Sequence, residues 1–330
     1  MIITRTPLRV SFVGGGSDLR SFYSKTPGKV LSTSIDKYIY VILKKQIGIV
    51  ESKYKITWNK IELADSIDEI EHPIVREALR LFNIDFPIEI TTFSDIPAGT
   101  GLGSSSAFAV GLVHALFALK GQLPTKYELA STGFKIEVDI LQRNMGKQDH
   151  FASAYGGLNI FKFNSDESVD ILPVPCNESS VKKLQENLLF FFTEKSRDAS
   201  VILEKQDNDN VKNHKILCKM RDLVDQLAKE IFEDKETNKF GALLHENWVL
   251  KKTLSSLVSN KNIEQLYQSA LNSGASGGKL LGAGGGGFLM FYVEEEFKKS
   301  VIQNMRDLNL IKIKFDSSGS RITYFDRSSM

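Results

Sequence analysis

The chain has 330 residues, 42% of them hydrophobic, enough for one large core or two ordinary ones, and its length suggests about two domains. Forty-two lysines and arginines nearly balance forty aspartates and glutamates, so no polybasic field speaks for nucleic acid or an anionic membrane, and an anionic ligand must be held by a few local charges. The two cysteines, Cys176 and Cys218, are distant and lack Cys-x-x-Cys spacing, there is no signal-peptide pattern, and no run reaches about 18 apolar residues, so the expectation is a cytoplasmic globular protein without disulfides, zinc or a membrane span.

In chain order, residues 2–13 read as a strand interrupted by Pro7 and ended by Gly14-Gly15-Gly16, after which Ser17-Asp18 is a helix N-cap signal. Residues 30–34, 38–44 and 54–58 are rich in Val, Ile and Tyr and read as strands of an antiparallel meander. Helical spacing predicts a helix over 73–82, and residues 86–93 return as a strand. A second helix runs from Thr125 to Arg143, followed by strands at 158–163 and 169–174. The segment from Pro173 to Ser180 is the best boundary, dividing the chain into 1–180 and 181–330. The second part predicts a strand at 188–193, helix from 196 to about 257 with breaks near 208–210 and 237, a helix at 263–271, and a strand at 288–293. A helix from 294 and strands at 311–315 and 321–325 complete that half.

The stretch that organises the chain is Pro97-Ala98-Gly99-Thr100-Gly101-Leu102-Gly103-Ser104-Ser105-Ser106, running into the apolar segment 107–119. Glycines at alternate positions permit positive φ and let successive N–H groups turn toward one anion. The serines fall where a helix begins, and that helix is apolar on every side except His114, so it is buried with its positive end under the loop. A phosphate suits that place. A glycine-rich turn whose serines merely cap a core helix is the plainer alternative. This is not a Walker loop, since no Lys-Ser or Lys-Thr follows the last glycine. The later glycine run, Gly282-Ala283-Gly284-Gly285-Gly286-Gly287, contains Gly-x-Gly-x-x-Gly, but a strand follows it where a dinucleotide fingerprint needs a helix.

The Pro97–Ser106 pattern resembles the second motif of the GHMP kinases, in which such a loop wraps the ATP phosphates. Residues 9–18 resemble the family's first motif and residues 279–288 its last, while Thr6-Pro7-Leu8-Arg9, Arg76 within Pro73–Ala78, and Gly146-Lys147-Gln148-Asp149 extend the likeness over nearly the whole chain. The resemblance implies an α+β, two-domain fold: a ribosomal protein S5 domain 2-like N-terminal domain and a ferredoxin-like C-terminal domain. It implies that Pro97, Gly99, Gly101, Leu102, Gly103, Ser104, Ser105 and Ser106 bind ATP. Ser105 and Glu137 would hold Mg²⁺ through hard oxygens, Asp149 would orient or deprotonate the attacking hydroxyl, and Arg9 would stabilise transferred charge. Asp18, Gly15, Gly16 and Ser17 would face the acceptor, with Arg76 and Arg197 as candidate holders of a substrate phosphate. The galactokinase form carries Glu-His where this chain has Gly15-Gly16, so galactose is disfavoured. Triple glycine before Ser-Asp resembles the form found in kinases of D-glycero-D-manno-heptose 7-phosphate that serve nucleotide-activated heptose and surface-polysaccharide synthesis. The expected reaction is phosphorylation of that sugar phosphate on its anomeric hydroxyl. An anomeric kinase for an unphosphorylated sugar such as fucose, or a non-catalytic sugar or ATP sensor of the same fold, are the alternatives. The oligomeric state is open.

Overall fold

The computed structural model describes residues 1–193, 210–233 and 239–326. Its first sheet is built around two long strands, β1 (Ile2–Val13) and β2 (Gly28–Lys45), paired antiparallel over almost their whole length. β2 covers in one strand what the sequence suggests as two. The register shifts between Pro7 and Arg9, which is where a residue without an N–H can sit inside a sheet.

The other edge of β2 is shared out along its length. β6 (Leu158–Phe163) takes Gly28–Thr33 and β12 (Phe315–Asp316) takes Ser34 and Ile35. β5 (Ile88–Ser94) takes Ile39–Lys45. β3 (Tyr54–Thr57) then joins β5 in parallel, β4 (Ile61–Ala64) pairs β3, and β7 (Val169–Pro173) pairs β6. The strand expected at 321–325 to complete the second half instead becomes β13 (Arg321–Phe325) and pairs with β1, so the chain end returns to the first sheet. Strand β1 would otherwise present an unpaired edge there.

The helix α1 (Arg20–Tyr23) is a single turn, followed by α2 (Pro73–Leu81), and α3 (Ser104–Leu119) is the central buried helix lying on β1 and β2. Its approach is close because Gly111 has no side chain: a Cβ there would stand 2.8 Å from Thr6 Oγ1. Thr4 also donates to the Gly111 carbonyl at 2.9 Å. His114, the polar exception on this helix, meets Ser320 Oγ at 3.0 Å, and Ser320 meets Thr6 at 2.8 Å, so β1, α3 and the returning chain end are tied together. These contacts fix where the start of α3 points.

α4 (Lys126–Phe134) does not run on as a regular helix to Arg143; residues Lys135–Ile140 form a π-helical turn. α5 (Gln148–Tyr155) follows. The second sheet has the order β11 (Asn309–Ile311), β8 (Leu188–Phe192), β10 (Phe288–Val293), β9 (Ala275–Leu280), with helices α6 (Glu178–Glu186), α8 (Lys239–Leu254), α9 (Lys261–Asn272) and α10 (Glu295–Asn304) packed on it, while α7 (Asn210–Glu233) lies against α8 and against β1 and β2 of the first sheet. Alternation along β8 and β10 splits its side chains between two cores. Phe190, Phe288 and Met290 join the main core, whereas Leu189, Phe191, Leu289 and Phe291 pack with Trp248 and Tyr267 on the opposite face. Among the described residues, no helix is long and apolar enough to cross a membrane.

Candidate active site

The glycine loop adopts the conformation its spacing predicts: Gly99, Gly101 and Gly103 have φ of 76°, 85° and 76°. Gly103 is the N-cap of α3 and no side chain caps that helix, so its first N–H groups remain available to an anion. The serines therefore do not cap the helix. The later glycine run folds back on this loop, backbone against backbone. A Cβ on Gly101 would stand 2.6 Å from the Leu281 carbonyl, one on Gly282 would stand 2.5 Å from Gly101 Cα, and one on Gly287 would overlap the Thr100 carbonyl. The two glycine stretches thus clasp each other, which only residues without side chains permit.

Arg9 and Asp149 meet at the mouth of the loop. Arg9 Nε donates to Asp149 Oδ1 at 2.6 Å and Nη2 to Oδ2 at 2.7 Å, a bidentate pair, while Nη1 donates to the Gly101 carbonyl at 2.7 Å. The Arg9 backbone N–H also donates to the Leu102 carbonyl at 3.0 Å. Gly103 leaves the space: a Cβ there would stand 3.2 Å from Arg9 Cγ and 3.3 Å from Asp149 Oδ2. The glycine loop and the carboxylate are therefore joined through Arg9, which bonds both, although 92 residues separate Arg9 from Gly101.

Asp18 is not the helix cap its position suggests. The cap of α1 is Leu19, and Asp18 is 3% exposed, its Oδ1 accepting the Gly16 N–H at 2.9 Å and its Oδ2 the Gln148 N–H at 3.3 Å. Gly146 makes this possible, since any Cβ there would collide with the carboxylate. Burial, followed by the nearby charge of Asp149, pushes the Asp18 carboxyl above its ordinary value despite those N–H donors.

Behind the serines, the π turn brings Glu137 inward. Its carboxylate is fully buried; Oε1 accepts from Ser105 Oγ and from Arg143 Nη1 at 2.7 Å, and Oε2 meets His150 Nε2 at 2.8 Å. Arg143 also reaches Ser105 Oγ at 3.0 Å. Burial alone would raise the Glu137 pKa, but His150, Ser105 and Arg143 together hold it below the ordinary carboxylate value. An ionised carboxylate and a hydroxyl are ligands of the kind a hard divalent cation takes, and here they bond each other and the Arg143 guanidinium, a positive charge at the same point. A helix continued in regular α geometry would aim Glu137 differently, and π turns recur at functional sites.

The cleft enclosed by these groups has a volume of about 840 Å³. Arg9, Gly15, Gly16, Asp18, Gly99, Gly101, Gly103, Ser104, Ser105, Ser106 and Asp149 line it, joined by Gly282, Gly284 and Gly286. Other expected residues do not line it. Ser17 is fully buried and donates to the Gly14 and Lys29 carbonyls at 2.8 and 2.9 Å, so it knits the first turn together. Leu102 is a buried core residue, the Pro97 carbonyl accepts from Thr100 at 3.1 Å, and Glu137 stands behind Ser105. Arg76, a candidate phosphate holder, is absent from the lining; its guanidinium is taken by Glu77 at 3.0 Å and the Ile70 carbonyl at 2.9 Å. Arg197 lies outside the described residues.

Sequence reasoning missed Arg143, Ser11, Lys251 and Lys279, all of which line the cleft. Lys251-Lys252 reads as ordinary positive charge in the last turn of a helix, and only the apolar run after Lys279 hints at its burial.

An uncapped helix start under three left-handed glycines, facing a carboxylate held by a bidentate arginine, defines a phosphotransferase cleft. The sequence agrees: residues 73–157 match the GHMP kinases N terminal domain and residues 227–308 the GHMP kinases C terminal domain. The chain is 32% identical over 323 residues to the D-glycero-alpha-D-manno-heptose 7-phosphate kinase of Campylobacter jejuni, covering 92% of this chain and 93% of that protein. It is 27% identical over 320 residues to the Arabidopsis thaliana bifunctional fucokinase/GDP-fucose pyrophosphorylase, covering 88% of this chain and 30% of that one. A solved D-glycero-D-manno-heptose 1-phosphate kinase from Bacteroides thetaiotaomicron shares the fold with a TM-score of 0.79 at 22% identity, over 99% of this chain and 100% of that one. The chain belongs to the GHMP kinase family. It has that family's α+β fold and is an ATP-dependent phosphotransferase.

Proposed function

We propose that this enzyme transfers the γ-phosphoryl group of ATP to the anomeric hydroxyl of D-glycero-D-manno-heptose 7-phosphate, yielding the 1,7-bisphosphate for nucleotide-activated heptose synthesis. The observation that carries the reading is that Arg9 grips Asp149 with two hydrogen bonds and the Gly101 carbonyl of the glycine loop with a third, which supports Asp149 as the carboxylate next to the transferred phosphoryl group. The 32% identity to a heptose 7-phosphate kinase over nearly both chains supports the acceptor.

In this mechanism the N–H groups of the glycine loop and the start of α3 hold the nucleotide phosphates. Asp149 accepts the proton of the sugar hydroxyl as its oxygen bonds to the γ-phosphorus, and the bond to the bridging oxygen breaks with its electrons leaving on ADP. Arg9 keeps Asp149 in place and offers positive charge to the transferred group. Asp18, anchored by Gly16 and Gln148, accepts hydrogen bonds from sugar hydroxyls. Ser105 and Glu137 would hold magnesium, which neutralises charge on the phosphate oxygens when bound.

The test is a screen of purified protein with ATP, magnesium and a panel of heptose 7-phosphate, heptose, fucose, galactose, mannose and mevalonate, read by mass spectrometry and phosphorus NMR. A 1,7-bisphosphate formed faster than any other product is expected. Turnover confined to fucose or another neutral sugar would replace this acceptor, and ATP consumption with none of them would refute the assignment.

A further inference from the structure

Two buried ammonium groups in the cleft have no part in the chemistry above. Lys251, from α8, and Lys279, from β9, are 7% and 3% exposed, and both line the cleft with Gly15, Gly16 and Asp18. A buried charge is costly unless it is paired. Lys251 donates to the Gly282 carbonyl, and Lys279 to the carbonyls of Ser11 and Phe12 at 2.8 Å each; no carboxylate among the described residues forms an ion pair with either. Of the nearby carboxylates, Asp149 is engaged by Arg9, and Asp18 accepts backbone N–H groups. Arg9, Lys251 and Lys279 are thus three basic groups beside two carboxylates, and burial together with the charges of Lys251 and Arg9 drives Lys279 well below its ordinary basicity, the cost of gathering cations without enough counter-ions.

A second observation points to the same place. The Ser11 hydroxyl, in a residue 6% exposed that lines the cleft, has no hydrogen-bond partner among the described residues. It stands where Gly15 leaves room: a Cβ on Gly15 would lie 3.7 Å from Ser11 Oγ and 3.6 Å from Gln148 Nε2. Lys279 holds the carbonyl of that same Ser11, so lysine, hydroxyl and open glycine turn form one corner of the cleft.

We infer that Lys251, Lys279 and Ser11 form the subsite for an anionic group carried by the acceptor itself, a phosphate monoester remote from the reacting hydroxyl. This rests on reading the enzyme as a sugar-phosphate kinase. On this reading the nucleotide phosphates take the glycine loop and the start of α3; Lys279 bonds β1 beside the first glycine turn, and Lys251, although it bonds Gly282 next to that loop, lies near enough to Asp18 to feel its charge. Burial, and then the positive charge of Arg9, lower the basicity of Lys251 to about 8, against the pull of Asp18; an arriving dianion relieves that conflict. The subsite also accounts for a phosphorylated acceptor without Arg76, which is held outside the cleft.

The test is calorimetric binding of heptose 7-phosphate and of free heptose, in the presence of magnesium and a non-hydrolysable ATP analogue, to the wild type, Lys251→Met, Lys279→Met and Ser11→Ala. The wild type is expected to bind the phosphorylated sugar more tightly, and each substitution to cut that preference by about ten- to a hundred-fold, the loss of one charge-assisted contact. Affinity for the ATP analogue, titrated alone, is expected to stay nearly constant. Preference retained in the variants overturns the subsite and leaves the acceptor reading standing. No preference in the wild type overturns both. Parallel loss of ATP-analogue affinity assigns the lysines to the nucleotide and also overturns the inference. Should a lysine variant fail to fold, Ser11→Ala decides, because its hydroxyl bonds none of the described residues.

Discussion

Replacing Asp149 by Asn tests the centre of the site, because it keeps the side chain's size and removes its charge. In the wild type both carboxylate oxygens accept from Arg9, at 2.6 and 2.7 Å, and the Arg9 side chain is 5% exposed. The amide can accept only one of those bonds, and its NH₂ then faces the other guanidinium donor. The fold loses one charge-assisted hydrogen bond, about 1.5–3 kcal/mol, and retains a buried cation without its counter-ion. On the proposed mechanism the chemical step also loses its proton acceptor, typically worth about 10²- to 10⁴-fold, or roughly 3–5.5 kcal/mol of barrier. On the proposed binding mode ATP is held by backbone N–H groups that the substitution does not touch, so its affinity should be nearly unchanged. The assay is kcat at saturating ATP and acceptor, below the variant's melting temperature, with nucleotide affinity measured by calorimetry. A folded variant that keeps more than about a tenth of the wild-type kcat would refute the role given to Asp149.

Three further outcomes are expected. Ser105→Ala and Glu137→Gln should each raise the magnesium concentration needed for half-maximal rate, since each removes or weakens a hard oxygen ligand; identical magnesium curves in both would exclude that pair from the metal site. Gly103→Ala should lower both kcat and ATP affinity, because its methyl meets Arg9 and Asp149 within 3.3 Å at a φ of 76°. Gly121→Ala, at a φ of 67° with nothing within 4 Å, should incur a similar backbone cost of about 1–2 kcal/mol and leave the kinetics alone; equal kinetic effects would show that Gly103 matters only for folding. Burial lowers the pKa of His114 from its ordinary 6.5 to about 4. As pH falls from 6.5 toward 4, the unfolded chain gains a proton that the folded chain does not, so this residue makes stability fall with acidification across that window. His114→Gln should flatten the dependence of melting temperature on pH there, and an unaltered slope would mean that His114 does not titrate as its burial requires.

Much of the site was legible because its signals are local. Alternate glycines at 99, 101 and 103 permit left-handed backbone, and an apolar segment with one histidine favours a buried helix, so the shape of the loop and of the helix start was readable from neighbours in sequence. Family resemblance supplied Arg9, Asp18, Glu137 and Asp149 as candidates, and the cleft gathers Arg9, Asp18 and Asp149 while Glu137 stands behind Ser105. What misled was also local: Ser17-Asp18 has the chemistry of a helix cap, and nothing within a few residues says that Gly146, 128 positions on, leaves the space that draws Asp18 inward.

The amino-acid sequence by itself determined the glycine loop, the buried helix behind it and the kind of chemistry they serve, since backbone conformation and hydrophobic period are written in adjacent residues. Tertiary structure alone decided that β13 returns to β1, that a π turn aims Glu137 at Ser105, that Arg143 reaches the same point, and that Lys251 and Lys279 are buried in the cleft. Those outcomes depend on which distant surfaces exclude water together, and a lysine in sequence carries no sign of whether its ammonium ends in solvent or against the carbonyls of a strand 268 residues away.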